Sequence, residues 1–172
     1  MKKTILYIIL NLVLFSTSFS QTSWTNLIYH FQTGTVPPPY FYSYNINLSR
    51  TGDGTLVYNC IFANDTSWTY RIIAPEDYLS TLDSVIIESN VLNDSIGSLK
   101  KHPIGGSIQY VQIFLNQVSN LDQVPKSIST PGFPLPEFKE KLEKLYEVIR
   151  TSVPQSVWDD IKSRKDSLKN KK

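Results

Sequence analysis

From Tyr40 to Leu48 the chain alternates. Tyr40, Tyr42, Tyr44, Ile46 and Leu48 fall on one side of an extended backbone, and Ser43, Asn45, Asn47 and Ser49 on the other. A period of two is the pattern of a half-buried strand. Thr51-Gly-Asp-Gly54 follows, with two glycines free to take positive φ, and Leu56, Tyr58, Cys60 and Phe62 then resume the alternation. Two alternating runs around a glycine-rich turn predict a hairpin. Ala63-Asn-Asp-Thr66 predicts a second turn and Trp68, Tyr70 and Ile72 a third strand. Leu27, Tyr29 and Phe31 alternate ahead of the hairpin, joined to it through Gln32–Pro39. The expectation is a four-stranded antiparallel meander.

The period then lengthens. Ala74-Pro-Glu-Asp77 reads as a helix start, with a proline in the first turn and acids near the positive end of the helix dipole. Tyr78, Leu79, Leu82, Val85 and Ile86 recur at helical spacing. Residues 90–106 are polar and glycine-containing and predict a loop, after which Val111, Ile113 and Leu115 mark a fifth strand, apolar enough on both faces to be internal. Residues 116–136 show no period. Leu135, Phe138, Leu142, Leu145 and Ile149 form one stripe of a helix that ends at Pro154, and Val157, Trp158 and Ile161 predict a short second one. Strands, helix, strand, helices is the order of an α+β domain: an antiparallel sheet of about five strands with C-terminal helices on one face. The domain is expected over 21–161, with 162–172 as a frayed basic tail.

The first 20 residues stand apart. Lys2 and Lys3 precede an apolar run, Thr4–Phe15, broken only by Asn11, and Ser18-Phe-Ser20 offers small residues at a cleavage site. That is the layout of a secretory signal peptide. The run is about 12 residues, against roughly 20 for a membrane span, so cleavage before Gln21 is expected. No cysteine follows the apolar run, so a lipid anchor is not expected. The mature chain reads as exported, periplasmic or extracellular, and soluble.

Cleavage changes the charge. The full chain carries 17 basic and 15 acidic residues; without Lys2 and Lys3 the two balance. A nucleic-acid binder shows a basic excess on one face, so neutrality and export argue against that role. The basic surplus lies at the C-terminus, in Lys162–Lys172, where cations suit a helix end. Cys60 is the single cysteine, so no internal disulfide forms. Its place among Leu56, Tyr58 and Phe62 predicts a small buried hydrophobe.

Catalytic signatures are sparse. His30 and His102 are distant in sequence and neither has a ligand partner at helical spacing, so no zinc site is expected. Asp53, Asn59, Asn64 and Asp65 read as turn residues rather than calcium ligands. There is no G-x-S-x-G elbow, no Walker A loop and no dinucleotide fingerprint, and no cofactor is expected. Glu76-Asp77 and Asp159-Asp160 are adjacent carboxylates at expected helix starts, where the dipole accounts for them. His102-Pro-Ile-Gly-Gly-Ser107 is the nearest thing to a nucleophile-base pair, and Gly105-Gly106 can also be read as a backbone nest for an anion.

The most distinctive segment is Gly34-Thr-Val-Pro-Pro-Pro-Tyr-Phe-Tyr42. Three prolines favour a stiff extended stretch that delivers aromatic side chains of the kind that dominate binding hot spots. Pro38, Pro39, Tyr40, Phe41 and Tyr42, with Gly105 and Gly106, are therefore the candidate binding residues. Thr35-Val-Pro-Pro-Pro-Tyr-Phe-Tyr-Ser-Tyr44, Gly52-Asp-Gly54, Ile104-Gly-Gly-Ser107 and Ser152-Val-Pro-Gln-Ser-Val-Trp158 together resemble an uncharacterised group of small exported bacterial proteins, a resemblance that implies no activity. Gly34–Pro39 and the element order are also similar to emfourin-type metalloprotease inhibitors, although a clear double glycine is missing at that loop. The leading expectation is an exported, non-enzymatic binding domain that contacts a protein or an envelope component. Inhibition of a secreted metalloprotease and a small hydrolase built on His102 and Ser107 are the alternatives.

Overall fold

The computed structural model describes residues 24–37, 40–60, 66–92, 96–101, 103, 105–116 and 126–169. The signal peptide, its cleavage point, Pro38, Pro39 and His102 lie outside the described residues. The alternating segments form β1 (Trp24–Gln32), β2 (Tyr42–Ser49), β3 (Asp53–Cys60) and β4 (Thr66–Ile73). Helix α1 (Glu76–Glu88), β5 (Ile108–Leu115), a short β6 (Ser127–Ser129), α2 (Pro136–Thr151) and α3 (Gln155–Lys169) follow. The strands make one antiparallel sheet in the order β4-β3-β2-β1-β5-β6. The meander and the internal fifth strand are as the periodicity predicts.

Register sorts the side chains into rows. One row runs Tyr70, Leu56, Ile46, Tyr29, Val111 from β4 to β5, and the next runs Trp68, Tyr58, Tyr44, Phe31. These point to the face on which all three helices pack, and Leu82, Val85 and Ile86 of α1, Leu142, Leu145, Tyr146 and Ile149 of α2, and Ile161 of α3 complete the core. Asn45, Asn47, Thr55 and Thr69 alternate onto the other face. Cys60 is buried in the core, as expected of a small hydrophobe, and burial pushes its thiol pKa up.

Polar side chains pin the helices to the sheet. Trp24 donates from Nε1 to Asp83 on α1 at 2.6 Å, and Arg50 reaches the other oxygen of the same carboxylate at 2.7 Å while lying 5.6 Å from the Trp24 ring. Tyr78 of α1 donates to the Val148 carbonyl of α2 at 2.8 Å. Among the described residues no helix is long and apolar enough to cross a membrane.

Three expectations need correction. The aperiodic stretch 116–136 contributes a sixth strand, β6. It spans three residues, too few to show alternation, and it is held by the pairing of Ile128 with Ile113, by the Thr130 N–H donating to the Val111 carbonyl and by the Val111 N–H donating to Thr130 Oγ1. The last helix does not stop at Ile161. It continues through Lys169 because Lys165 and Leu168 extend the side defined by Val157, Trp158 and Ile161, and Leu168 packs against the core. Asp159 and Asp160 do not open that helix, whose first turn holds no acid. Asp160 accepts hydrogen bonds from Tyr70 and Arg164, both at 2.7 Å. These bonds, Tyr70's first, hold its carboxyl below the usual range.

Candidate functional site: an aromatic cleft between sheet and helices

The C-terminal end of α2 and helix α3 lie over the aromatic row. The rings of Phe31, Tyr44, Tyr58 and Trp68 follow one another across four strands at 5.0, 6.2 and 5.9 Å between centroids. Tyr42, one strand position further along, stacks on Phe31 and Tyr58 at 5.7 and 5.4 Å. Above them lies a cleft of about 900 Å³. Tyr42, Tyr44 and Tyr58 form its floor, Glu147, Arg150 and Val153 one wall, and Trp158, Lys162 and Lys165 the other. Trp158 sets its ring edge-on to Tyr44 at 5.3 Å.

Helical spacing brings the charges in. Arg150 follows Tyr146 by four residues, which carries it along the buried stripe of α2 to that helix's last turn. There a cation also complements the dipole. Its Nη1 donates to the Tyr29 hydroxyl at 3.3 Å and to Gln109 Oε1 at 3.4 Å. Tyr29 donates to the same Gln109 oxygen at 2.8 Å, and the Gln109 amide donates to Glu143 at 2.5 Å. Burial works against the Arg150 charge, but the Tyr29 and Tyr44 phenols and Glu143 outweigh it and raise its pKa. Burial is also the main cause that raises the phenols of Tyr29, Tyr44 and Tyr58, so these three hydroxyls stay protonated at neutral pH.

On α3, Lys165 follows Ile161 by four residues and so arrives on the inward side. Its Nζ lies 4.3 Å from the Tyr42 ring centroid and 5.6 Å from that of Tyr58. An ammonium set over aromatic faces in this way is a cation–π contact. Arg164 lies 5.8 Å from both Trp68 and Tyr70. Arg164 and Lys165, which fall in the segment expected to fray, therefore lie over the sheet's aromatic edge.

The aromatic segment singled out from the sequence is split three ways. Tyr40 is 63% exposed. Tyr42 enters the cleft floor. Phe41 points to the end of the sheet, where it lines a separate depression of about 330 Å³ together with Gly105 and Gly106. Two of the candidate segments thus meet, but away from the main cleft. Gly105 and Gly106 have φ of +84° and +87°, and their flanks are open. The two loops touch where a Cβ on Gly34 would strike the Gly106 carbonyl oxygen. Gly34→Ala is therefore expected to lower stability by about 1–3 kcal/mol, since backbone on both sides must yield. A thermal melt followed by circular dichroism checks it, and an unchanged midpoint would show that the loops do not bear on each other.

Ser107 is exposed beside a second recess that includes Gln109, Glu143 and Tyr146. The proposed pairing of Ser107 with His102 involves a residue outside the described set. His30 faces away from the helices, hydrogen-bonded through Nδ1 to Asn45 at 2.7 Å and with its ring tilted against Tyr110 at 4.9 Å. Among the described residues no group of three or more His, Cys, Asp or Glu side chains is placed to hold a metal ion.

From the sequence, Trp158 reads as a core-facing helix residue and not as a site residue, and Arg150 and Lys165 are not among the candidate site residues. The signal for the two cations is nonetheless present, as one four residues after Tyr146 and another four after Ile161, each on a stripe that should be apolar. Fold and site together define an α+β domain with an aromatic, cation-rimmed cleft. No protein-family model matches the chain, and no curated protein matches it.

Proposed function

We propose that the chain is an exported, non-enzymatic binding domain, and that its site is the cleft between the sheet, α2 and α3. The observation that carries this reading is the cleft itself: about 900 Å³, open, floored by Tyr42, Tyr44 and Tyr58 and walled by Trp158 and Arg150. Ligand sites are concave and combine apolar and aromatic surface with polar groups that give orientation; here the aromatic floor and Trp158 supply the first, and charged side chains of α2 and α3 the second. Export is supported by the charged, apolar and small-residue segments of positions 1–20. A component of the envelope or of the surrounding medium is the ligand that such an address implies.

Two measurements test the proposal. Intact mass of exported protein should give a chain beginning at Gln21; a retained Met1 would overturn the cleaved-signal reading, and absence of the protein from exported fractions would overturn export. Nile red, a neutral dye that brightens in apolar surroundings, should gain fluorescence on the native protein. Trp158→Ala should reduce that gain severalfold without altering the circular dichroism spectrum. Equal signals from the two proteins would show that the cleft is not a binding site.

A further inference from the structure

We infer that the cleft takes a small amphipathic carboxylate, with Arg150 binding the carboxylate and Trp158 and Tyr42 covering its apolar body. This rests on the reading of the cleft as the binding site and adds the chemistry of its ligand.

Arg150 supplies the first argument. A guanidinium presents five N–H donors in a fixed fork that matches a carboxylate. Here Nη1 alone is engaged with described residues, and only by the neutral oxygens of Tyr29 and Gln109 at 3.3 and 3.4 Å. The ion pairs between described residues are Arg50–Asp83, Arg71–Asp53, Lys144–Glu88 and Arg164–Asp160, and Arg150 belongs to none of them. Its acidic neighbour Glu143 takes the Gln109 amide instead. Glu143 thus acts on the Arg150 charge from beyond ion-pair distance, and an incoming carboxylate would pair with the guanidinium directly. Tyr29 and Gln109 meanwhile hold the guanidinium in place.

Charge and shape set the rest. The lining carries three cations, Arg150, Lys162 and Lys165, and two carboxylates, Glu147 and Asp166. That leaves one positive charge, the complement of a monoanion and too little for a polyphosphate. The rings of Tyr42 in the floor and Trp158 in the wall offer apolar surface to the cleft. A volume of about 900 Å³ suits a body of one or two rings or a short acyl chain.

The matched probes are 2-naphthoate and 2-naphthamide, which share a ring body and differ in charge, titrated into the exported protein by calorimetry at neutral pH. The acid should bind at least about tenfold more tightly than the amide, the scale of a charged hydrogen-bonded contact. Arg150→Gln should remove that preference. Equal affinity of acid and amide for the unaltered protein would overturn the carboxylate inference, while Nile red binding would still stand for the cleft. Detectable Nile red binding with neither naphthyl probe bound would overturn it as well. If Arg150→Gln fails to fold, Lys165→Gln decides the anchor. A preference for the acid that survives in that variant supports Arg150, and one that disappears assigns the carboxylate to Lys165 and overturns the inference.

Discussion

Raising the pH above 10 should unfold the protein in one steep transition, complete by about pH 12, because several tyrosines fold with their hydroxyls protonated and shielded. Burial pushes Tyr146 up to about 12 from 10.0, with the nearby Glu143 also raising it and the Thr130 hydrogen bond opposing. Burial likewise takes Tyr78 to about 12. Tyr29, Tyr44 and Tyr58 move in the same direction for the same first reason. An unfolded tyrosine titrates near 10. Below that pH the contribution of each raised group is fully present. Between the unfolded and folded values the unfolded chain binds fewer protons than the native one, so stability falls as pH rises. Two units on the fully buried Tyr146 correspond to about 3 kcal/mol at most. Several such groups together approach the roughly 5–15 kcal/mol that hold a domain folded. Phenolate absorbance and far-ultraviolet circular dichroism, followed in parallel, should therefore change together. Full ionisation of the tyrosines with the dichroism unaltered would show that these hydroxyls are reached by solvent in the native state.

The same tyrosines explain how much the sequence could reveal. Tyr42, Tyr44, Ile46 and Leu48 announce a strand because every second residue must face the core, and the Thr51–Gly54 turn then fixes its partner. Alternation of this kind is local, and it identifies β1 to β5. β6 is different: Ser127–Ser129 holds one inward residue, Ile128, and is a strand only because Ile113 lies opposite. The cleft is less legible still. Tyr42 was visible as part of a proline-tyrosine segment, but its neighbours Tyr58, Arg150, Trp158 and Lys165 come from three other elements. Their assembly depends on strand register and on the angle at which α3 leaves Pro154. Periodicity assigns a residue to a face; it does not say which faces meet. The C-terminal cations show the converse. Read by composition, Lys162–Lys172 is a solvated end, but spacing from Ile161 puts Lys165 over two aromatic rings.

Replacing Tyr29 should be the most damaging single truncation near the site. Tyr29 is fully buried on the central strand β1, with its ring 5.3 Å from Tyr146 and 6.0 Å from Tyr44. Its hydroxyl joins Gln109 and Arg150. Tyr29→Ala removes both the ring and the polar junction, and large-to-small changes of an aromatic in a packed core cost about 3–5 kcal/mol. Tyr29→Phe keeps the ring. It leaves the Gln109 oxygen with only the long Arg150 contact and takes one acceptor from Arg150, a loss of about 1–2 kcal/mol. At about 2–4 °C per kcal/mol for a domain of this size, the two melting points should separate clearly. Urea titration of both variants checks the ratio. If Tyr29→Phe costs as much as Tyr29→Ala, the hydroxyl junction rather than ring packing holds β1, α2 and the cleft wall together. If Tyr29→Phe costs nothing while naphthoate affinity drops, the hydroxyl serves to orient Arg150 rather than to stabilise the fold. The expected result lies between these, with most of the loss in the ring and a smaller part in the bond that aims the guanidinium.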